Sequence, residues 1–180
     1  VRGAVDEKTD KEKAMSVVAC KILPGGFEIA ADSLSVHGYT KTKNNVRFSK
    51  LFEVDGLVIG GVGLPEDMAL LELFAMTHKP AEPTERAVLE FWSEFADWKR
   101  KKTDIDSAFL IGLDDRVFLL DAWLITQVLT FEAIGEGMDF ARAALYLGHD
   151  AEKAVETAIE LNVWCDSPVR VIRKPARRKP

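Results

Sequence analysis

The chain has 180 residues, 47% of them apolar and 29% charged, with a formal net charge of -5. Apolar content at this level excludes a disordered chain, and the length suits one core better than two. No stretch approaches the roughly 18 uninterrupted apolar residues of a membrane span, and residues 15–169 carry 14 basic against 25 acidic groups, a balance that argues against nucleic acid as a partner.

The head of the chain, Val1 to Ala14, is dominated by the charged run Asp6 to Lys13. It has neither the apolar segment nor the cleavage pattern of a secretory signal, which points to a cytoplasmic protein. Ser16 to Leu23 and Phe27 to Asp32 then read as strands joined at Pro24-Gly25-Gly26. A second hairpin is predicted from Lys50 to Val54 and Leu57 to Gly61, because Asp55-Gly56 accepts the positive φ of a tight type I′ turn. These four segments are expected to share one sheet.

Pro65 opens a helix with Glu66 and Asp67 on its N-terminal dipole. Met68 to Met76 is apolar nearly all round, which predicts burial between layers. Beyond Pro80 to Pro83, the spacing of Val88, Phe91, Trp92 and Phe95 predicts an amphipathic helix ending near Lys102. Strands resume at Ser107 to Leu113 and Val117 to Leu120 around Asp114-Asp115, with a third at about Val128 to Ile134. Helices Met138 to Leu147 and Ala151 to Leu161 follow, then a last strand near Val169 to Ile172 and a basic tail, residues 173–180, read as a solvated end.

Hairpins alternating with helix pairs do not give the βαβ alternation of a doubly wound fold. They predict an α+β domain over residues 16–172, a four-layer αββα sandwich of two antiparallel sheets with a helix pair outside each.

Conventional catalytic signals are weak. Cys20 and Cys165 lie far apart in apolar settings and read as reduced thiols, with no spacing that suits a metal. His37, His78 and His149 are scattered and read as surface or loop residues. Gly60-Gly61-Val62-Gly63 lies between a strand and a helix, but it has no Walker lysine, and Glu66 and Asp67 would repel a phosphate there. No GxSxG elbow is present, and no cofactor or metal is expected.

A different constellation carries more. Met15-Ser16-Val17-Val18-Ala19, Ile29-Ala30-Ala31-Asp32-Ser33, Lys50-Leu51-Phe52-Glu53-Val54, Ile59-Gly60-Gly61-Val62-Gly63 and Ala133-Ile134-Gly135-Glu136-Gly137 occur in an order and spacing that resemble the β-subunits of the proteasome and of the bacterial HslV peptidase. The resemblance implies an N-terminal nucleophile (Ntn) hydrolase fold and a threonine-type peptidase using serine. Its nucleophile would be Ser16, whose freed α-amine, with an unperturbed pKa of ~7.7–8.0, can act as base without a histidine. Lys50 would ease the proton transfer, Asp32 would keep Lys50 charged, and the Gly61 N–H would face the tetrahedral oxyanion. The partners implied are further copies of the chain in a ring or double ring, and a peptide or unfolded protein as substrate. Whether an ATP-dependent unfoldase feeds the chamber is left open by the resemblance.

The chain departs from the family pattern in three supporting positions. Glu136 replaces a serine, and Asn162 and Cys165 stand where an aspartate and a second serine are usual. A charged Glu136 would raise the pKa of the α-amine or pair with Lys50. Met15 replaces the glycine that usually precedes a self-cleaved nucleophile, whereas Met followed by Ser suits methionine removal. Residues 1–15 therefore read as an extension, either a propeptide or an added leader, with translation starting naturally at Met15. The alternative reading is a catalytically silent ring or cage subunit that keeps the fold for assembly.

Overall fold

The computed structural model describes residues 15–37, 40–42, 49–100 and 105–175. The head, Val1 to Ala14, and the last five residues of the tail lie outside the described residues.

Strands β1 (Val18–Leu23) and β2 (Gly26–Ala31) form the first hairpin. A short pair follows, β3 (Ser35–His37) and β4 (Thr40–Thr42). Next come β5 (Leu51–Val54) and β6 (Leu57–Val62), then α1 (Pro65–Ala75) and α2 (Glu85–Lys99). The second half contains β7 (Ala108–Leu113), β8 (Arg116–Asp121), β9 (Leu124–Val128) and β10 (Phe131–Ile134). It ends with α3 (Met138–Tyr146), α4 (Ala151–Leu161) and β11 (Arg170–Pro175). The turn between β5 and β6 has φ of 47° at Asp55 and 80° at Gly56, as a type I′ hairpin requires.

One sheet runs β10-β1-β2-β11 and the other β5-β6-β7-β8-β9, all neighbours antiparallel. The alternation of strand side chains assigns each residue to a layer. Val18, Cys20, Ile29 and Ala31 meet Leu51, Val58, Val62 and Leu110 between the sheets. Val17, Ala19 and Ala30 turn the other way, against Ala141, Ala144, Ala154 and Ala158 of α3 and α4. Leu57, Ile59, Phe109 and Ile111 face Met68, Leu71, Phe91, Trp92 and Phe95 of α1 and α2. The expected αββα sandwich is therefore present, and no helix among the described residues is long and apolar enough to cross a membrane.

Four details differ from expectation. The two N-terminal hairpins belong to different sheets, stacked face to face rather than paired edge to edge. The single strand expected at Val128 to Ile134 is the end of β9 and the whole of β10, one in each sheet, so the chain crosses between layers at Leu129-Thr130. Helix α1 lies outside its sheet, with Met68, Leu71, Phe74 and Ala75 buried but Leu73 and Met76 more than half exposed. Residues 173–175 are not a loose tail: they complete β11, where Arg173 pairs with Glu28 and Glu152 and Lys174 with Glu53.

A charged pair is sealed in the α1–α2 layer. Asp67 and Lys99 are both 0% exposed and ion-paired with each other. Asp67 also accepts from the Ser107 hydroxyl at 2.7 Å and the Asp106 N–H at 3.2 Å. Removing one partner strands the other charge in the core, so Lys99→Met is expected to destabilise the fold by about 3–5 kcal/mol. Denaturant titration reads this directly, and an unchanged midpoint would contradict it.

Candidate active site

The site gathers where several strand ends coincide. Val18 pairs with Ala31 on one side and Ile134 on the other, so Ser16-Val17, Asp32 and Gly135 share one end of the first sheet. Lys50 immediately precedes β5 at the same end of the facing sheet. The backbone holds Asp32 in place: its N–H donates to the Val17 carbonyl at 3.2 Å, and its Oδ1 accepts from the Val17 N–H at 2.9 Å. Asp32 Oδ2 accepts from the Leu34 N–H at 3.0 Å and the Asp166 N–H at 3.2 Å.

The Lys50 ammonium donates to Asp32 Oδ1 at 2.8 Å and lies 3.5 Å from the Met15 carbonyl oxygen. The Ser16 hydroxyl donates to that same carbonyl at 2.6 Å. Ser16, Asp32 and Lys50 are 4%, 1% and 5% exposed, so nucleophile, carboxylate and ammonium occupy one desolvated spot around the Met15–Ser16 peptide. Burial lowers the pKa of Lys50 from its ordinary value, and the Asp32 carboxylate partly offsets that shift.

Gly135 and Gly137 are packed onto the nucleophile segment. Gly135 has φ of +94°, and a Cβ there would lie 2.3 Å from the Ser16 carbonyl oxygen. The Gly137 N–H donates to that oxygen at 3.2 Å, and a Cβ on Gly137 would lie 2.6 Å from Cys165 Sγ. The three altered positions meet here too. Asn162 Nδ2 donates to the Glu136 carbonyl at 2.7 Å, and the Cys165 N–H donates to the Asn162 carbonyl at 3.2 Å. Among the described residues, the salt-bridge partner of Lys50 is Asp32, not Glu136.

Cys165 is buried among these charges. Desolvation, then the Asp32 carboxylate, push its thiol up to about 12, with the Lys50 ammonium opposing and Glu136 adding to the rise. The thiol therefore stays protonated at neutral pH and does not compete as a nucleophile. Cys20 is buried in the core between the sheets, and burial likewise pushes its thiol well up. His78 is exposed and stacks on Phe74, and His149 is an exposed loop residue, both away from the spot.

The expectation for Gly61 needs correction. Its N–H donates to the Lys50 carbonyl at 2.9 Å and is thus not available to an oxyanion. Its glycine identity has a packing cause, since a Cβ would lie 2.7 Å from the Phe109 ring. The next glycine, Gly63, has φ of +121° where β6 gives way to the N-terminus of α1. Sequence reasoning also passed over the backbone of Asp166, which braces Asp32 and accepts from the Ser33 N–H at 3.0 Å. The Lys41 ion pair with Asp166 ties β4 to this segment.

Two antiparallel sheets between helix pairs, with a buried Ser-Asp-Lys group where β1, β2 and β5 converge, define the Ntn-hydrolase fold in its proteasome-like form. Solved structures of that form superpose on the chain. BPH from Thiobacillus denitrificans matches with a TM-score of 0.80 at 19% identity, covering 91% of this chain and 100% of its own. BPH in complex with epoxomicin matches with a TM-score of 0.80 at 20% identity, covering 90% and 100%. Eukaryotic HslV from Trypanosoma brucei matches with a TM-score of 0.70 at 21% identity, covering 87% and 98%. No family model and no curated protein matches the chain in sequence. At these identities the likeness is one of fold.

Proposed function

We propose that the chain is a peptidase subunit that hydrolyses peptide bonds with Ser16 as an N-terminal nucleophile, in a self-compartmentalising ring. The observation that carries this reading is the Lys50 ammonium, buried on Asp32 and directed at the peptide group that precedes Ser16. Once the Met15–Ser16 bond is cut, the nitrogen of Ser16 becomes an amine and takes the hydroxyl proton. The oxygen attacks the scissile carbonyl, and the adjacent ammonium stabilises the charge that develops on it. The tetrahedral oxyanion is met by the Gly63 N–H, at the positive end of the α1 dipole. The amine, now protonated, returns its proton to the leaving amide nitrogen. Water then hydrolyses the acyl-enzyme by the same proton route.

The test is hydrolysis of small fluorogenic peptides by a chain beginning at Ser16, compared with Ser16→Ala. Loss of turnover in the variant is expected. Epoxomicin, the ligand of the BPH complex, is expected to inhibit the chain beginning at Ser16, and equal turnover with and without it would count against the reading.

Ring assembly is supported by apolar side chains left on the outside: Leu73 at 53% exposure, Met76 at 59%, Trp98 at 37% and Trp164 at 45%. Trp92, by contrast, is 1% exposed and belongs to the core. Light scattering at micromolar concentration is expected to give a closed homo-oligomer. A monomer would contradict a compartmental peptidase.

A further inference from the structure

The sealed Asp67–Lys99 pair lies outside the catalytic group, yet it is connected to the loop that carries Gly63. Three hydrogen-bonded links make the connection. Lys99 holds Asp67 Oδ1, Asp67 Oδ2 accepts from the Ser107 hydroxyl at 2.7 Å, and Ser107 Oγ accepts from the Leu64 N–H at 2.9 Å. Because the hydroxyl has a single hydrogen and gives it to the carboxylate, it presents only lone pairs to Leu64. The Gly63–Leu64 peptide is thereby held in one orientation. Gly63 itself is pressed against Ser107 so closely that a Cβ would lie 2.3 Å from Oγ and 2.7 Å from Cα. Ser107 immediately precedes β7, so the loop is referenced to the sheet rather than left to the helix.

A buried ion pair is seldom the most stable filling for its volume. Here it gives direction to a hydroxyl, and the hydroxyl gives direction to a backbone turn. We infer that Ser107, oriented by Asp67 and Lys99, is a positioning residue that aims the Gly63 N–H at the oxyanion. The inference rests on the peptidase reading proposed above. The device acts on the transition state alone: it touches neither the Ser16 amine nor the Lys50 ammonium, and it leaves ground-state binding of the peptide unchanged.

The test compares Ser107→Ala and Ser107→Thr with the parent chain, each beginning at Ser16 and each confirmed as assembled. Ser107→Ala is expected to lower kcat by about ten- to thirtyfold, less than the outright loss of an oxyanion donor, with KM within about twofold. Affinity for a peptide aldehyde, which forms a tetrahedral adduct with a hydroxyl nucleophile, should fall by the same factor. The pH profile should keep its midpoints, and Ser107→Thr, which retains the hydroxyl, should recover most of the rate. A parent chain that turns over beside an equally active Ser107→Ala chain, with equal aldehyde affinity, would overturn the positioning role and leave the peptidase reading intact. Loss of KM together with kcat, or a displaced pH midpoint, would also overturn it. A parent chain that neither turns over nor takes the aldehyde would overturn both.

Discussion

Lys50→Ala is expected to lower kcat for peptide hydrolysis by about a thousandfold or more while the protein remains folded and assembled, measured on the chain beginning at Ser16. The fold survives because Asp32, although it loses its cation, keeps the N–H groups of Val17, Leu34 and Asp166. The rate does not survive, because the charge beside the nucleophile is gone. The pH dependence follows from the two basic groups. The Ser16 amine must be neutral to accept a proton, so the rate should rise with pH through the amine's pKa, ~7.7–8.0 when unperturbed. Lys50 must be charged, and burial places its pKa below the ordinary 10.5, so the rate should fall again as pH rises through that lowered value. Asp32 raises the Lys50 pKa, and Asp32→Asn removes that support. The high-pH limb should then move to lower pH. Equal activity in the parent chain and Lys50→Ala would remove the mechanism and leave the αββα assignment standing.

A chain that retains Met15 is expected to show no Ser16-dependent hydrolysis at all. Its Ser16 nitrogen is an amide, which has no usable basicity, and its Ser16 hydroxyl is engaged by the Met15 carbonyl. That carbonyl also occupies the space beside Lys50 that the reacting oxygen requires. Mass spectrometry of any active preparation should therefore find a chain that starts at Ser16. Robust turnover by the uncut chain, still abolished by Ser16→Ala, would mean that another group serves as the base.

Much of the fold could be read from local pattern. The Asp55-Gly56 turn, the capped start of α1 and the spacing of Val88, Phe91, Trp92 and Phe95 each specify geometry within a few residues. The partner of a strand is a different kind of information. Cys20 and Val58 face each other across the gap between sheets, and a buried apolar residue looks the same whether its neighbour is in the next strand or the next layer. That is why the two hairpins were expected in one sheet and why the crossing at Leu129-Thr130 did not register. Ser16, Asp32 and Lys50 were legible because three chemically distinct residues recur in a family order, and their convergence on one spot agrees with that order. The oxyanion donor was not, since Gly61 and Gly63 stand two residues apart in one glycine-rich run. What separates them is the Lys50 carbonyl that claims one N–H and the left-handed φ of the other. Asp67 and Lys99 lay 32 residues apart, and each read as a helix-end charge. The only hint of the pair was an acid leading a helix that is otherwise apolar.

The central claim is that the Ser16 hydroxyl becomes acylated, and it is tested by intact and peptide-level mass spectrometry of the Ser16-starting chain after brief mixing with an activated peptide ester. The account predicts one acyl group per chain, located on the N-terminal peptide as a hydroxylamine-labile ester, absent from Ser16→Ala and from the chain that keeps Met15. An adduct on Cys20 or Cys165, a hydroxylamine-stable amide at the N-terminus, or an undiminished ester in Ser16→Ala would contradict it.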